Sequence, residues 1–172
     1  MSYGLVIRRF ATPVLVAGVF VAISALAATT TTTFQVSATV LKTCSVSAAA
    51  LGFGNYTPGT GVVTGSTPIN VLCTKTTPFT VALNGGTTTG GTVAQRLMAN
   101  GANTLQYNLY TTNTYATVFG DGTGTSVTQS GTGAGLGTAA VLTAYGQLPD
   151  NATNQGAVPG AYTDTITVTV TY

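Results

Sequence analysis

Apolar and polar side chains alternate with a period of two at several places along this chain, and no segment sustains a helical period. The clearest case is Thr165–Tyr172. Ile166, Val168, Val170 and Tyr172 fall on one face and threonines on the other, the signature of a half-buried strand. Phe34, Val36, Ala38 and Val40 alternate in the same way, and the extended character continues to Val46. Pro68–Cys73 reads as a short strand. Phe79, Val81 and Leu83 form another, ending at the turn signal Asn84-Gly85-Gly86. Leu105, Tyr107 and Leu109 alternate against Gln106, Asn108 and Tyr110. Val118-Phe119 leads into Gly120-Asp121-Gly122, Ala139–Leu148 reads as a strand, and Ala161–Tyr172 is the last. The Gly/Thr/Ser stretches Gly85–Gly91 and Gly120–Gly137 read as loops. About seven short strands with glycine-rich turns predict an all-β antiparallel sandwich.

The two ends stand apart. An ordinary first strand pairs within its own domain. Between Val40 and Cys44, however, lie only Leu41-Lys42-Thr43, without a Gly, Pro, Asn or Asp to turn the chain. Residues 34–40 should therefore run straight into the first strand of the domain and project up to about 23 Å at strand rise. An exposed apolar strand of that length needs a sheet edge. The strand ending at Tyr172 has the same need, and no later residue supplies a partner. This predicts subunits that complete one another's sheets.

Arg8 and Arg9, the apolar run Phe10–Leu26 and the small-x-small site Ala25-Leu26-Ala27 read as a secretory signal peptide over 1–27. The run is just long enough to span a bilayer, so a retained anchor is the alternative. The formal net charge of +2 resides in the leader. Beyond it Lys42, Lys75 and Arg96 balance Asp121, Asp150 and Asp164. A neutral chain with 5% charged residues has no electrostatic reason to bind nucleic acid. It also lacks a usual defence against edge-to-edge strand association. Cys44 and Cys73 are the only cysteines, and in an exported chain such a pair is expected to form one structural disulfide.

There is no His, Glu or Trp. A Ser-His-Asp or Cys-His nucleophile cannot be assembled, so the chain is not expected to be an enzyme. Paired carboxylates could serve a glycosidase. Yet Asp121 in Gly-Asp-Gly and Asp150 in Pro-Asp-Asn sit in turn contexts, and Asp164 is placed to bond local backbone. Zinc spacing is missing, and a calcium site on Asp121 and neighbouring carbonyls, the one alternative, lacks the D-x-D-x-D pattern, so no metal and no cofactor is expected. Tyr107, Tyr110 and Tyr115 could line a sugar-binding surface; the margin of the core is the favoured place for them.

Six features occur in a characteristic order: the alternating strand before Cys44, Leu51-Gly52-Phe53-Gly54-Asn55-Tyr56, Cys73 at a strand end, Leu105-Gln106-Tyr107-Asn108-Leu109-Tyr110, Phe119-Gly120-Asp121-Gly122, and Gly160-Ala161-Tyr162-Thr163-Asp164. On these the chain resembles the spore coat protein U domain, the pilin fold of archaic chaperone–usher pili. The resemblance implies an incomplete immunoglobulin-like sandwich lacking its final strand. It implies a periplasmic chaperone that lends a strand, an outer-membrane usher, and neighbouring copies of the chain or related pilins as partners. By that resemblance Phe34, Val36, Ala38 and Val40 are the donor strand. Ile166, Val168, Val170 and Tyr172 are the acceptor and chaperone edge, with the Tyr172 carboxylate held by basic residues of the chaperone. The implied organisation is a leader over 1–27, an N-terminal extension and donor strand over 28–43, and a pilin domain over 44–172. The polar run Thr29–Thr33 departs from the pattern and shortens the donor strand.

The expectation is a structural subunit of a bacterial surface pilus, exported through the periplasm, polymerised by donor-strand complementation and supporting adhesion and biofilm formation. Strand addition matches it physically: main-chain bonds give affinity, alternate side chains fill pockets, and a head-to-tail contact that does not close makes a fibre. The alternatives are a secreted or surface-associated β-sandwich binding module, with carbohydrate bound through its tyrosines as one form of it, and a coat protein. Oligomeric behaviour separates them.

Overall fold

The computed structural model describes residues 27–172, so the leader expected over 1–27 lies outside the described residues apart from Ala27. The chain divides into two units, one ending at Ala38 and one from Thr39 to Tyr172. In the first, the described residues carry no strand or helix. The second holds β1 Cys44–Ala48, β2 Val63–Cys73, β3 Pro78–Leu83, β4 Arg96–Asn100, β5 Asn103–Tyr110, β6 Gln129–Thr132, β7 Ala140–Leu148, a single helical turn α1 Ala152–Gln155, and β8 Val168–Thr171.

These strands make two antiparallel sheets, one in the order β1-β2-β7-β5-β4 and one in the order β6-β3-β8. Alternation decides the facing. Ile69, Val71 and Cys73 of β2, Phe79, Val81 and Leu83 of β3, and Leu105, Tyr107 and Leu109 of β5 are all buried. All of these but Leu105 meet in one core with Phe119 and Ala144, the apolar layer a sandwich requires. The all-β sandwich expected from periodicity is the fold observed.

Several boundaries differ from the sequence expectation. The extended run into Val46 is a ladder only from Cys44 onward. β2 starts five residues earlier than Pro68, at Val63. β4 has no counterpart in the expected strands: it opens on Arg96, a charged residue at a buried position. β6 lies inside the Gly120–Gly137 stretch expected to be loop. Gly131 is needed there because a Cβ on it would come within 2.5 Å of the Phe79 ring across the β3–β6 pair. Val118-Phe119 forms isolated bridges to Tyr110 and Val127 rather than a strand. The last alternating run is a strand only over Val168–Thr171, preceded by a single bridge from Thr163 to Ala99.

Candidate functional site

β1 ends one sheet and β8 ends the other, so each has one paired neighbour. The register Cys44↔Cys73, Val46↔Val71, Ala48↔Ile69 puts Cys44, Val46 and Ala48 on the same face as the buried residues of β2. Cross-strand partners normally share an environment. Here Val71 is 0% exposed and Val46 is 38% exposed. The core face of β1 is only partly covered: Cys44 packs against the core, whereas Val46 does not. On the facing edge, Ile166, Val168 and Val170 pack against the core yet stay half-buried. The flank between these two apolar edges is only partly closed: β1 and β8 touch, and the opening lies toward the Ala48 end of β1.

A cavity of about 470 Å³ enters the core through this flank. Its floor is the inner face of the larger sheet at Thr67, Ile69, Tyr107, Leu109 and Ala144. One wall is Tyr162–Ile166 with Val168; the other is Ala48–Leu51 with Phe53. That second wall is built from the residues after β1. Thr67 Oγ1 donates to the Ala49 carbonyl at 2.7 Å and fixes the turn away from β2. Leu51 and Phe53 then lie across Gly146, paired with Gly65 on β2; a Cβ at Gly146 would meet both side chains at 2.9 Å. Phe53 contacts Tyr107 edge-on, with ring centroids 6.0 Å apart, an attractive arrangement.

The opposite wall is fastened by side chains. Asp164 accepts from the Thr87 and Thr88 amides at 2.9 and 3.0 Å, from both threonine hydroxyls, and from the Tyr107 hydroxyl at 2.7 Å. Asn84 Oδ1 accepts from the Gly86 amide and from Thr167 N at 2.8 Å. Residues 164–167 are thus held before the β8 ladder begins. Burial tends to raise the Asp164 pKa, but the bonds from Tyr107, Thr87, Thr165 and Thr88 prevail and hold it below the usual carboxylate value. The Tyr107 phenol is pushed up, by burial first and the Asp164 carboxylate next.

Behind this wall Arg96 is 0% exposed. Its guanidinium donates to Asn108 Oδ1 at 2.6 Å and to the carbonyls of Asn84, Val93, Leu83 and Phe119. Among the described residues no carboxylate bonds to it. Burial lowers its pKa, and the negative charge nearby, Asp164 included, opposes that. Five acceptors from four stretches of chain replace its hydration and join β3, β5 and the loops beside them.

The expected site residues fall as follows. Phe34, Val36 and Val40 are 86%, 82% and 86% exposed; Ala38 is exposed as well, and none of the four belongs to a ladder. Ile166, Val168 and Val170 form the core face of the open edge, while Tyr172 is exposed at its end. Cys44 and Cys73 are joined by a disulfide across β1 and β2, as expected for the pair. Asp164 bonds local backbone at Thr165, as expected, and it also reaches partners that lie 57 to 77 residues away. Asp150 likewise reaches beyond its own turn, accepting from the Tyr56 hydroxyl and the Gly59 and Gly61 amides. Asp121 makes the turn expected of it, accepting from Thr123. Tyr107 is a core residue, and Tyr110 and Tyr115 pair edge-on at 5.5 Å. Among the described residues no group of three or more Cys, Asp or Glu is placed to hold a metal. Sequence reasoning missed Arg96; its only signal was a charge opening an otherwise apolar Leu97-Met98-Ala99 run.

The family model of the Spore Coat Protein U domain matches residues 30–169. No curated protein matches the chain significantly. Among solved structures it is similar, at 22% identity and a TM-score of 0.49, to the crystal structure of the CsuC–CsuE chaperone–tip adhesion subunit pre-assembly complex from the archaic chaperone-usher Csu pili of Acinetobacter baumannii. The match covers 78% of this chain and 40% of that one.

Proposed function

The chain belongs to the Spore Coat Protein U domain family, and from that premise we propose that it is a structural subunit of a bacterial surface pilus, polymerised by strand exchange. The observation that carries the reading is the open flank: an inward-facing Val46 left 38% exposed beside a half-buried edge strand. An apolar cavity open between two strand edges asks for one more strand, whose main chain would pair with β8 and whose alternate side chains would fill the core. The exposed, unpaired alternation Phe34–Val40 has the right period and polarity to be that strand in the next subunit. Ile166, Val168, Val170 and Tyr172 are the receiving edge. A periplasmic chaperone would cover this edge before assembly and an outer-membrane usher would exchange it. The leader is residues 1–27, the donor extension 28–43 and the pilin domain 44–172. Export and display on the cell surface follow from the same reading, as does support of adhesion and biofilm formation. The polar atoms of the flank are committed to holding its walls, which favours a binding role over chemistry.

A pair of charge insertions tests it. Val36→Asp should abolish polymerisation and leave the subunit folded, because Val36 is exposed and belongs to no strand. Val168→Asp should remove folded subunit or its chaperone complex, because it places an unpaired carboxylate at the core margin. Co-expression with the chaperone, followed by gel separation of monomer, complex and ladder, distinguishes the two. Equal loss of soluble subunit from both variants would mean that residues 34–40 are an ordinary strand of their own domain.

A further inference from the structure

The strand-exchange reading leaves open how the incoming strand is aligned, and the groove holds enough asymmetry to fix it. β1 and β8 run in opposite directions along the two sides of the cavity. Its lining includes Ala48 from the far end of β1, Val168 from the near end of β8 and Ile166 just before it, but neither Cys44 nor Val170. Half-burial on the terminal segment falls on even numbers: Tyr162, Asp164, Ile166, Val168 and Val170 face inward. Asp164 is the one charged residue lining the cavity. Donor residues of even number carry the matching face: Phe34, Val36, Ala38, Val40 and then Lys42, the one charge in that segment.

We propose that the groove takes residues 34–42 of a second copy of this chain, antiparallel to β8, in the register Phe34↔Tyr172, Val36↔Val170, Ala38↔Val168, Val40↔Ile166 and Lys42↔Asp164. This rests on the strand-exchange reading above. In this alignment an aromatic residue meets an aromatic one, three apolar pairs fill the middle, and the single cation reaches the single anion. The alternatives are worse. A shift of two residues one way sets Val40 on Asp164; the other way it sets Lys42 on Ile166. A parallel strand with Val40 on Val170 sets Phe34 on Asp164. Cross-strand pairs of this kind discriminate registers because directly opposed side chains interact and like or mismatched ones do not.

The register puts Lys42 at the end of the groove that the cavity occupies. The apolar lining there suits the four-carbon stem, and Asp164 Oδ2, which accepts from the Tyr107 hydroxyl, has a further lone pair to offer the ammonium. The occupant must be another copy. With Lys42 opposite Asp164, the chain stands at the Ala48 end of β1, and only Thr43 separates it from Cys44 at the other end. Two residues reach about 7 Å, whereas the length of β1 requires about 13 Å.

Subunits with one added cysteine each test the register. One subunit carries Ala38→Cys, and the other carries Ile166→Cys, Val168→Cys or Val170→Cys in turn. The pairs are co-expressed for assembly and resolved without reductant. Opposed Cβ atoms lie about 4.5–5.5 Å apart and those offset by two lie about 7–8 Å apart, so the 38–168 pair should give roughly tenfold more covalent dimer than either neighbour. Dominant cross-linking to 166 or 170 would overturn the register and leave strand exchange standing. A cross-linked monomer from the Ala38→Cys, Val168→Cys double variant would overturn the second-copy assignment. No cross-link at any position, with monomeric subunits, would overturn strand exchange itself. Lys42→Glu should reduce assembly on the order of tenfold at low salt and much less at high salt; unchanged assembly would overturn the Lys42–Asp164 pairing.

Discussion

The two sides of the terminal segment solve opposite problems. Toward β3 and β5, buried polar groups are satisfied. Arg96 is fully enclosed and all its bonds are to fixed acceptors, and Asp164 and Asn84 tie residues 164–167 to the loop after β3. Toward β1, apolar side chains that face the core are only partly covered: Val46 is 38% exposed, and Ile166, Val168 and Val170 stay half-buried. The closed side is a framework that can hold β8 in place without help from the open side. An edge intended for a partner must keep its shape while unpaired, and here side-chain hydrogen bonds supply that shape.

On this contrast, substitutions on the closed side should be far more damaging to the isolated subunit than those on the open side. The largest effect is expected from Arg96→Met, which leaves several buried carbonyls and Asn108 without a donor. The expected loss is about 3–5 kcal/mol, read from denaturant melts of the subunit. A loss under about 1 kcal/mol, the scale of one ordinary hydrogen bond, would show that the hub is dispensable. Next comes removal of the disulfide by Cys44→Ala with Cys73→Ala. For a separation of 29 residues the chain-entropy model gives about 3–4 kcal/mol, measured in the same way.

Asp164→Asn should lower stability by about 1 kcal/mol, a modest figure because the group is partly solvated. It should also flatten the acid limb of the stability profile. The folded pKa of Asp164 lies below its unfolded value, so its contribution is present above about pH 4 and is lost as pH falls through the folded value. A wild-type and variant pair with parallel acid limbs would contradict this. The smallest effect belongs to the open side. Val46→Ser should change the stability of the isolated subunit by less than about 0.5 kcal/mol, the range of exposed positions. The same change at Val71, its fully buried partner, should cost several times more. Equal effects at the two positions would mean that the flank is not open.

Periodicity found β3, β5 and β7 because their alternation is written in bulky apolar residues whose faces are decided by burial alone. It missed β6 because that strand, Gln-Ser-Gly-Thr, contributes its backbone and leaves space for the Phe79 ring. It missed β4 because the buried side chain there is an arginine, whose burial depends on carbonyls brought from elsewhere in the chain. The apolar half of the candidate site, Ile166 through Val170, was legible for the same reason that β3 was. The polar half was not. Asp164 reads locally as a turn or cap residue, and its bonds to Thr87, Thr88 and Tyr107 exist only once three distant segments meet.

The position of the disulfide has a mechanical consequence. Cys44 is the first residue of β1, directly after the extension, and it is bonded to Cys73, the last residue of β2. In a fibre under tension, force carried along residues 34–43 would enter the domain at this point. An edge strand pulled from its end peels away one hydrogen bond at a time. The covalent link instead passes the load to β2, an interior strand paired on both sides over much of its length. Pulling on the extension would then shear a whole ladder at once rather than unzip its edge, and a reduced subunit should rupture at lower force than an oxidised one.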